Sequence, residues 1–177
     1  CESEGFKSAV YSFKTDGGVE FSAMYVTDVH ITEIDDENEN SLSDTSYRLH
    51  ETLEDALSKN KNISLLLSAG DQATEGLESE YKAFTASPLT KGISIATAMG
   101  NHDRKGAAYK VFKNIPNEDT EASIRSYNGT DYWFTKGEAL FLVMDSNSGN
   151  AMAHADFVKR AIKANPDVKW KIMMFHH

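Results

Sequence analysis

The chain has 177 residues, 40% of them hydrophobic, which is long enough and apolar enough for one sizeable core. Its formal net charge of −9 argues against a broad nucleic-acid-binding face, which needs clustered Lys and Arg, although it leaves room for a single phosphate group held by cations. No apolar run approaches the ~18 residues of a membrane-spanning helix, and the one cysteine, Cys1, leaves no internal disulfide to form.

Cys1 admits two readings. Mature bacterial lipoproteins begin at a lipidated cysteine, and the polar Glu2-Ser3-Glu4-Gly5 suits a membrane tether, giving an extracytoplasmic protein, secreted or lipid-anchored. A simple boundary of the sequence at this residue accounts for it equally well.

Phe6 to Phe13 alternates in character, Thr15-Asp16-Gly17-Gly18 is a turn signal, and Val19 to Thr27 resumes an extended pattern. The pattern predicts a hairpin whose second strand delivers Asp28 and His30. Glu33 to Asp44 holds six acidic residues without apolar periodicity and reads as a solvated loop rather than a cation site. From Asp44 to about Lys59, Leu49, Leu53, Ala56 and Leu57 line one helical face, and His50 lies off it. Ile63 to Ser68 is mostly apolar, as a strand buried on both faces should be. Gln72 to Ala86 becomes helical in its later part, Pro88 closes it, and Ile93 to Ala98 is the next strand.

Arg104 to Pro116 reads as a short helix and loop, and Tyr127-Asn128-Gly129-Thr130 as a turn. Tyr132 to Thr135, Lys136-Gly137, and Ala139 to Asp145 form a second hairpin signal. Its aromatics belong to a core rather than to a base-stacking platform, because no basic residues interleave them. Ala151 to Ala164 is helical, with Met152, Ala155, Val158 and Ile162 spaced for one face, Asn165-Pro166-Asp167 breaks it, and Lys169 to Phe175 is a last strand. There is no internal repeat, low-complexity tract or linker, so residues 1–177 read as one domain.

Four of these strands end in polar turns of one kind. Asp28 and His30 follow the first, Gly70-Asp71 the second, Gly100-Asn101-His102-Asp103 the third, and His176-His177 the last. In open α/β sheets ligands collect beyond the carboxyl ends of the strands, so four such ends point at one shared site. Any one turn alone is an ordinary place for Asp or Asn, which cap helices and shape turns. Asp, Asn and His without cysteine suit hard or borderline divalent ions rather than a structural zinc site. A carboxylate bridging two ions holds them ~3.5–4 Å apart for an in-line displacement, and Asp71, on a strand placed centrally, is the candidate bridge.

The ordered series Asp28-x-His30, Gly70-Asp71, Gly100-Asn101-His102-Asp103 and Phe175-His176-His177 resembles the calcineurin-like metallophosphoesterase superfamily over nearly the whole chain. Tyr132-Trp133-Phe134 through Asp145-Ser146, then Trp170-Lys171-Ile172, is similar to the segment that precedes the strand-end histidine in purple acid phosphatases of that superfamily. The resemblance implies an α/β (α+β) fold, a four-layer αββα sandwich of two mixed β-sheets flanked by helices, incomplete at the C-terminus. It also implies hydrolysis of phosphate monoesters or diesters by a water or hydroxide that two divalent or mixed-valence ions (Mn, Fe or Zn) activate, on a small-molecule substrate.

By that similarity Asp28 and His30 hold the first metal, Asp71 bridges, and Asn101 and His176 hold the second. His102 and Asp103 are the catalytic residues, with His102 either general acid or charge stabiliser. His177 contacts substrate or supports the ligands, and the choice between His176 and His177 as ligand stays open. The superfamily's Gly-His-x-His motif does not occur in the 177 residues, so this piece is expected to be inactive by itself. Purple acid phosphatases carry a tyrosine where Thr74 stands, phosphoprotein phosphatases Asp-Arg-Gly where Thr74-Glu75-Gly76 stands, and nucleotidases a glycine where Ile31 stands. The alternative is a non-catalytic scaffold on the same fold, disfavoured because a scaffold has no need of the six polar residues Asp28, His30, Asp71, Asn101, His102 and His176.

Overall fold

A computed structural model describes residues 2–3, 6–7, 18, 20–32, 44–109, 116–119 and 131–177. Strands β1 (Glu2–Ser3) and β2 (Phe6–Lys7) pair antiparallel with each other. Strand β3 (Ser22–Val26) runs parallel to β4 (Ile63–Ser68), which runs parallel to β5 (Ser94–Thr97). The strand expected as the second of the first hairpin pairs with β4; of its expected partner, Phe6 to Phe13, residues 8–13 lie outside the described residues. The Thr15–Gly17 part of the hairpin's turn, the acidic stretch 33–43, residues 110–115 and the turn at 127–130 lie outside the described residues.

The second sheet has the order β6 (Tyr132–Lys136), β7 (Ala139–Val143), β8 (Trp170–Met174), with β6 antiparallel and β8 parallel to β7. Among the described strands this sheet is mixed, whereas the β3-β4-β5 sheet is parallel. Crossovers between parallel strands need an intervening element, usually a helix. Helices α1 (Asp44–Lys59) and α2 (Glu78–Thr85) follow β3 and β4, and α3 (Ala151–Ala164) links β7 to β8.

Side-chain alternation turns these elements into four layers. Leu65, Leu67 and Ala69 on one face of the first sheet meet Ala139, Phe141 and Val143 of the second, forming the central core. Phe134 stacks on Phe141 with ring centroids 4.7 Å apart. The other face of the first sheet, through Leu66 and Ile31, packs on Leu49 and Leu53 of α1 and Phe84 of α2. The other face of the second sheet, through Leu140 and Leu142, packs on α3. This is the expected αββα sandwich.

The expected inner face of α3 holds only in part. The buried stripe of α3 is Ala153, Phe157 and Ala161; of the expected face, Val158 and Ile162 pack half-buried against the same core, while Met152 is 80% exposed and Ala155 also faces outward. Steps of four along a helix hold one face, and the stripe follows Phe157, the bulkiest apolar side chain available. Leu140 and Leu142 are buried because α3 lies across them, while Ile172 of β8 is 38% exposed. His50 is half-buried, its Nδ1 3.0 Å from the Ser87 hydroxyl.

Both sheets point their parallel strands one way. Val26 pairs with Ser68, Ser68 with Thr97, and Val143 with Met174, so the strand ends sit level and the turns beyond them gather at one edge. Phe157→Ala should cost about 3–5 kcal/mol of stability in a urea titration, whereas Met152→Ala should stay within about 0.5 kcal/mol. Similar costs for the two would put the α3 stripe elsewhere.

Candidate metal centre

The parallel pairing of β3 and β4 does not stop at the last strand residue. Asp28 N–H donates to the Gly70 carbonyl at 3.1 Å, His30 N–H to the Asp71 carbonyl at 2.9 Å, and Ile31 N–H to the Gln72 carbonyl at 3.0 Å. The two turns are thus one backbone ladder, bent so that Asp28, His30 and Asp71 take φ values of +53°, +49° and +52°. Such conformations cost on the order of 1–3 kcal/mol each for non-glycine residues and persist only where the surroundings impose them.

Two glycines let the walls close. At Gly70, φ is +103° and an added Cβ would stand 2.4 Å from His176 Nδ1. At Gly100 an added Cβ would lie 2.0 Å from Asp71 Oδ1, so only glycine lets the β5 turn reach the Asp71 carboxylate.

Asp71 stands at the middle. It is buried, its Oδ1 accepts from the His102 backbone N–H at 2.8 Å, and its Oδ2 lies 3.6 Å from His30 Nε2 and 3.3 Å from His176 Nε2. Two groups of donor atoms share it: His30, Asp71 and His102, and Asp28, Asp71 and His176, each with all its donor atoms within 4.8 Å of one another. This geometry groups His102 with His30 and Asp28 with His176, whereas the resemblance keeps His102 apart as a catalytic residue and pairs Asp28 with His30. The rings of His30 and His102 meet edge to face at 4.6 Å.

The histidines are oriented by carbonyls, which only accept hydrogen bonds. His176 Nδ1–H donates to the Ala69 carbonyl at 2.8 Å and His102 Nδ1–H to the Thr74 carbonyl at 2.7 Å. Each therefore turns Nε2 toward the site, the arrangement that fixes a metal-binding tautomer. His177 differs. Its Nδ1 and backbone N–H meet the Ser146 hydroxyl at 3.0 and 3.1 Å, and its Nε2 faces Asn101 Oδ1 at 3.0 Å. The donor set fits a pair of divalent ions, being all N and O with one buried carboxylate common to both groups.

Asp103 is brought beneath the site rather than into it. It is wholly buried; Oδ1 accepts from Gln72 N–H, Ala73 N–H and the Tyr81 hydroxyl at 3.1, 3.2 and 2.8 Å, and Oδ2 from Gly100 N–H at 2.9 Å. Burial pushes its carboxyl above the ordinary carboxylate value, and these hydrogen bonds pull the other way. Asp103 thus ties the Asp71 turn to the Gly100 turn from below, and no open side of its carboxylate faces a substrate.

The turn Asp145-Ser146-Asn147, at the end of β7, is a further part of this edge. In the sequence, Asp145-Ser146 falls within a stretch of resemblance and not among the expected site residues. A polar triplet directly after an apolar strand is the signal that found the other four turns, and it applies here equally.

A family model described as calcineurin-like phosphoesterase matches residues 22–177. No curated protein sequence matches the chain. Among solved structures, a purple acid phosphatase isolated from yellow lupin (Lupinus luteus) seeds is similar, with a TM-score of 0.59 and 17% sequence identity. The likeness covers 89% of this chain and 31% of the lupin chain, and at that identity it speaks for the fold.

Asp103→Asn should destabilise the protein by about 1–3 kcal/mol, because the amide presents N–H to the Gly100 N–H and leaves a buried donor unpaired. Urea unfolding of wild type and variant is the check. A neutral or stabilising result would show that the buried charge costs more than its hydrogen bonds return.

Proposed function

Because the chain belongs to the calcineurin-like phosphoesterase family, we propose that it serves hydrolysis of phosphate monoesters or diesters at a centre for two divalent ions (Mn, Fe or Zn) built around Asp71. One observation carries the reading: Asp71 Oδ2 is approached by imidazole nitrogens from both sides, 3.6 Å from His30 and 3.3 Å from His176. In this assignment Asp28 and His30 hold one ion, Asn101 and His176 the other, and Asp71 both. When bound, such a pair supplies Lewis-acid stabilisation of phosphoryl charge and an activated water for in-line attack.

The chain's own groups do the rest. The carbonyls of Ala69 and Thr74 hold the His176 and His102 rings so that Nε2 of each faces the site. The Asp71 carboxylate is fixed by the His102 N–H, and Asp103 fixes both loops beneath it. His102 is half-buried at the edge, where a protonated Nε2 could deliver a proton to a departing oxygen. His177, held by Ser146, is set to steady Asn101.

Asp71→Asn should reduce the content of both ions in the intact protein, measured by elemental analysis after dialysis, because it weakens the shared ligand. A single firmly bound ion that survives Asp71→Asn would overturn the two-metal assignment. Phosphatase assay with manganese separates this reading from a non-catalytic scaffold, which would bind without turnover.

His102→Ala should slow hydrolysis of alkyl phosphates ~10²–10⁴-fold while sparing p-nitrophenyl phosphate, whose leaving group scarcely needs a proton. Equal losses on the two substrates would make His102 a charge stabiliser or an ion ligand, as its place beside His30 also allows.

A further inference from the structure

The two residues assigned to the second ion come from different sheets. Asn101 follows β5 of the first, and His176 follows β8 of the second. Their separation therefore depends on how the sheets are spaced at this edge, and apolar packing alone does not fix such spacing to the tolerance a metal site needs. A polar clamp spans the gap.

Asn147, in the turn after β7, donates its Nδ2–H bonds to the carbonyls of Met99 and Gly100, each at 3.3 Å, and to Asp145 Oδ1 at 2.8 Å. Its own backbone N–H donates to the same Asp145 oxygen at 3.1 Å. Ser146, one residue earlier, holds the His177 ring and backbone, and that ring reaches Asn101. The turn is anchored in turn from the outer layer. The buried Asp131 accepts from the Asp145 N–H at 2.9 Å and from His154 of α3 at 2.6 Å, and the other ring nitrogen of His154 donates to the Ser148 carbonyl at 3.1 Å.

We propose that Asn147 is a positioning residue for the second ion: its amide ties the Met99–Gly100 backbone to the end of β7, and with Ser146 sets Asn101 against His176. The inference rests on the two-metal assignment above. The first ion's residues, Asp28 and His30, are fixed by the β3–β4 ladder within one sheet and do not depend on this clamp.

The test is calorimetric titration of Mn²⁺ into the metal-stripped intact protein, with one position weakened at a time. In a His30→Ala background, which leaves the second position, Asn147→Ala should weaken Mn²⁺ about 10–100-fold; in a His176→Ala background, which leaves the first, the change should be within about twofold. Asn147→Asp, which keeps the size but replaces the donor with a charged acceptor facing two carbonyls, should give the same selective loss. Thermal melting of each metal-free variant guards against a general loss of fold, which would lower both affinities together. Equal losses in the two backgrounds, or no loss in either, would overturn the role of Asn147 while leaving two Mn²⁺ events in the wild type. Fewer than two events in the wild type would remove the two-metal reading and this inference with it.

Discussion

The backbone ladder between the turns after β3 and β4 is the constraint on which the rest of the site depends. It delivers Asp28, His30 and Asp71 in one piece, because each turn satisfies the other's amide groups. Buried backbone polar groups must find partners, and here the partners lie in the facing turn rather than in water. That pairing also imposes the left-handed φ values on three side chains that would otherwise avoid them. The unfavourable conformations and the clustered donors have the same origin, which is parallel strand pairing carried beyond the regular strands.

A second constraint comes from below. The Asp103 carboxylate gathers amide donors from the Asp71 turn and the Gly100 turn, and the Tyr81 hydroxyl of α2 completes its shell. A carboxylate in so buried a place is tolerated only because hydrogen bonds replace its water. The effect is rigidity where two strand ends meet, which a centre of converging charged ligands requires. Gly100 matters for the same reason, since the turn it opens touches Asp71 directly.

Membership of a phosphoesterase family and a 17% identical structural neighbour place the chain in a fold and a chemical neighbourhood. Within that neighbourhood the residues that act have to be read from contacts, because one fold supports many substrates. Here the contacts separate the roles of neighbouring histidines and an aspartate. The His176 and His102 rings are aimed by carbonyls, the His177 ring is held by a hydroxyl, and Asp103 is consumed by the protein itself.

The sequence by itself determined the elements and most of the edge. Strands β4 and β7 are apolar runs of the right length, α1 shows its stripe at Leu49 and Leu53, and each strand ends in a polar turn that local chemistry makes visible. Such features are local, so periodicity and turn residues reveal them. Only the tertiary structure decided that β3 lies beside β4, that Phe157 rather than Met152 faces the second sheet, and that Asp103 turns inward. It alone joined Asn147 to Met99 and Gly100, 47 or more residues away along the chain. These outcomes are set by which partner buries the most apolar surface and which buried amide needs an acceptor. Both are properties of distant residues brought together, and neither is written in the spacing of near ones.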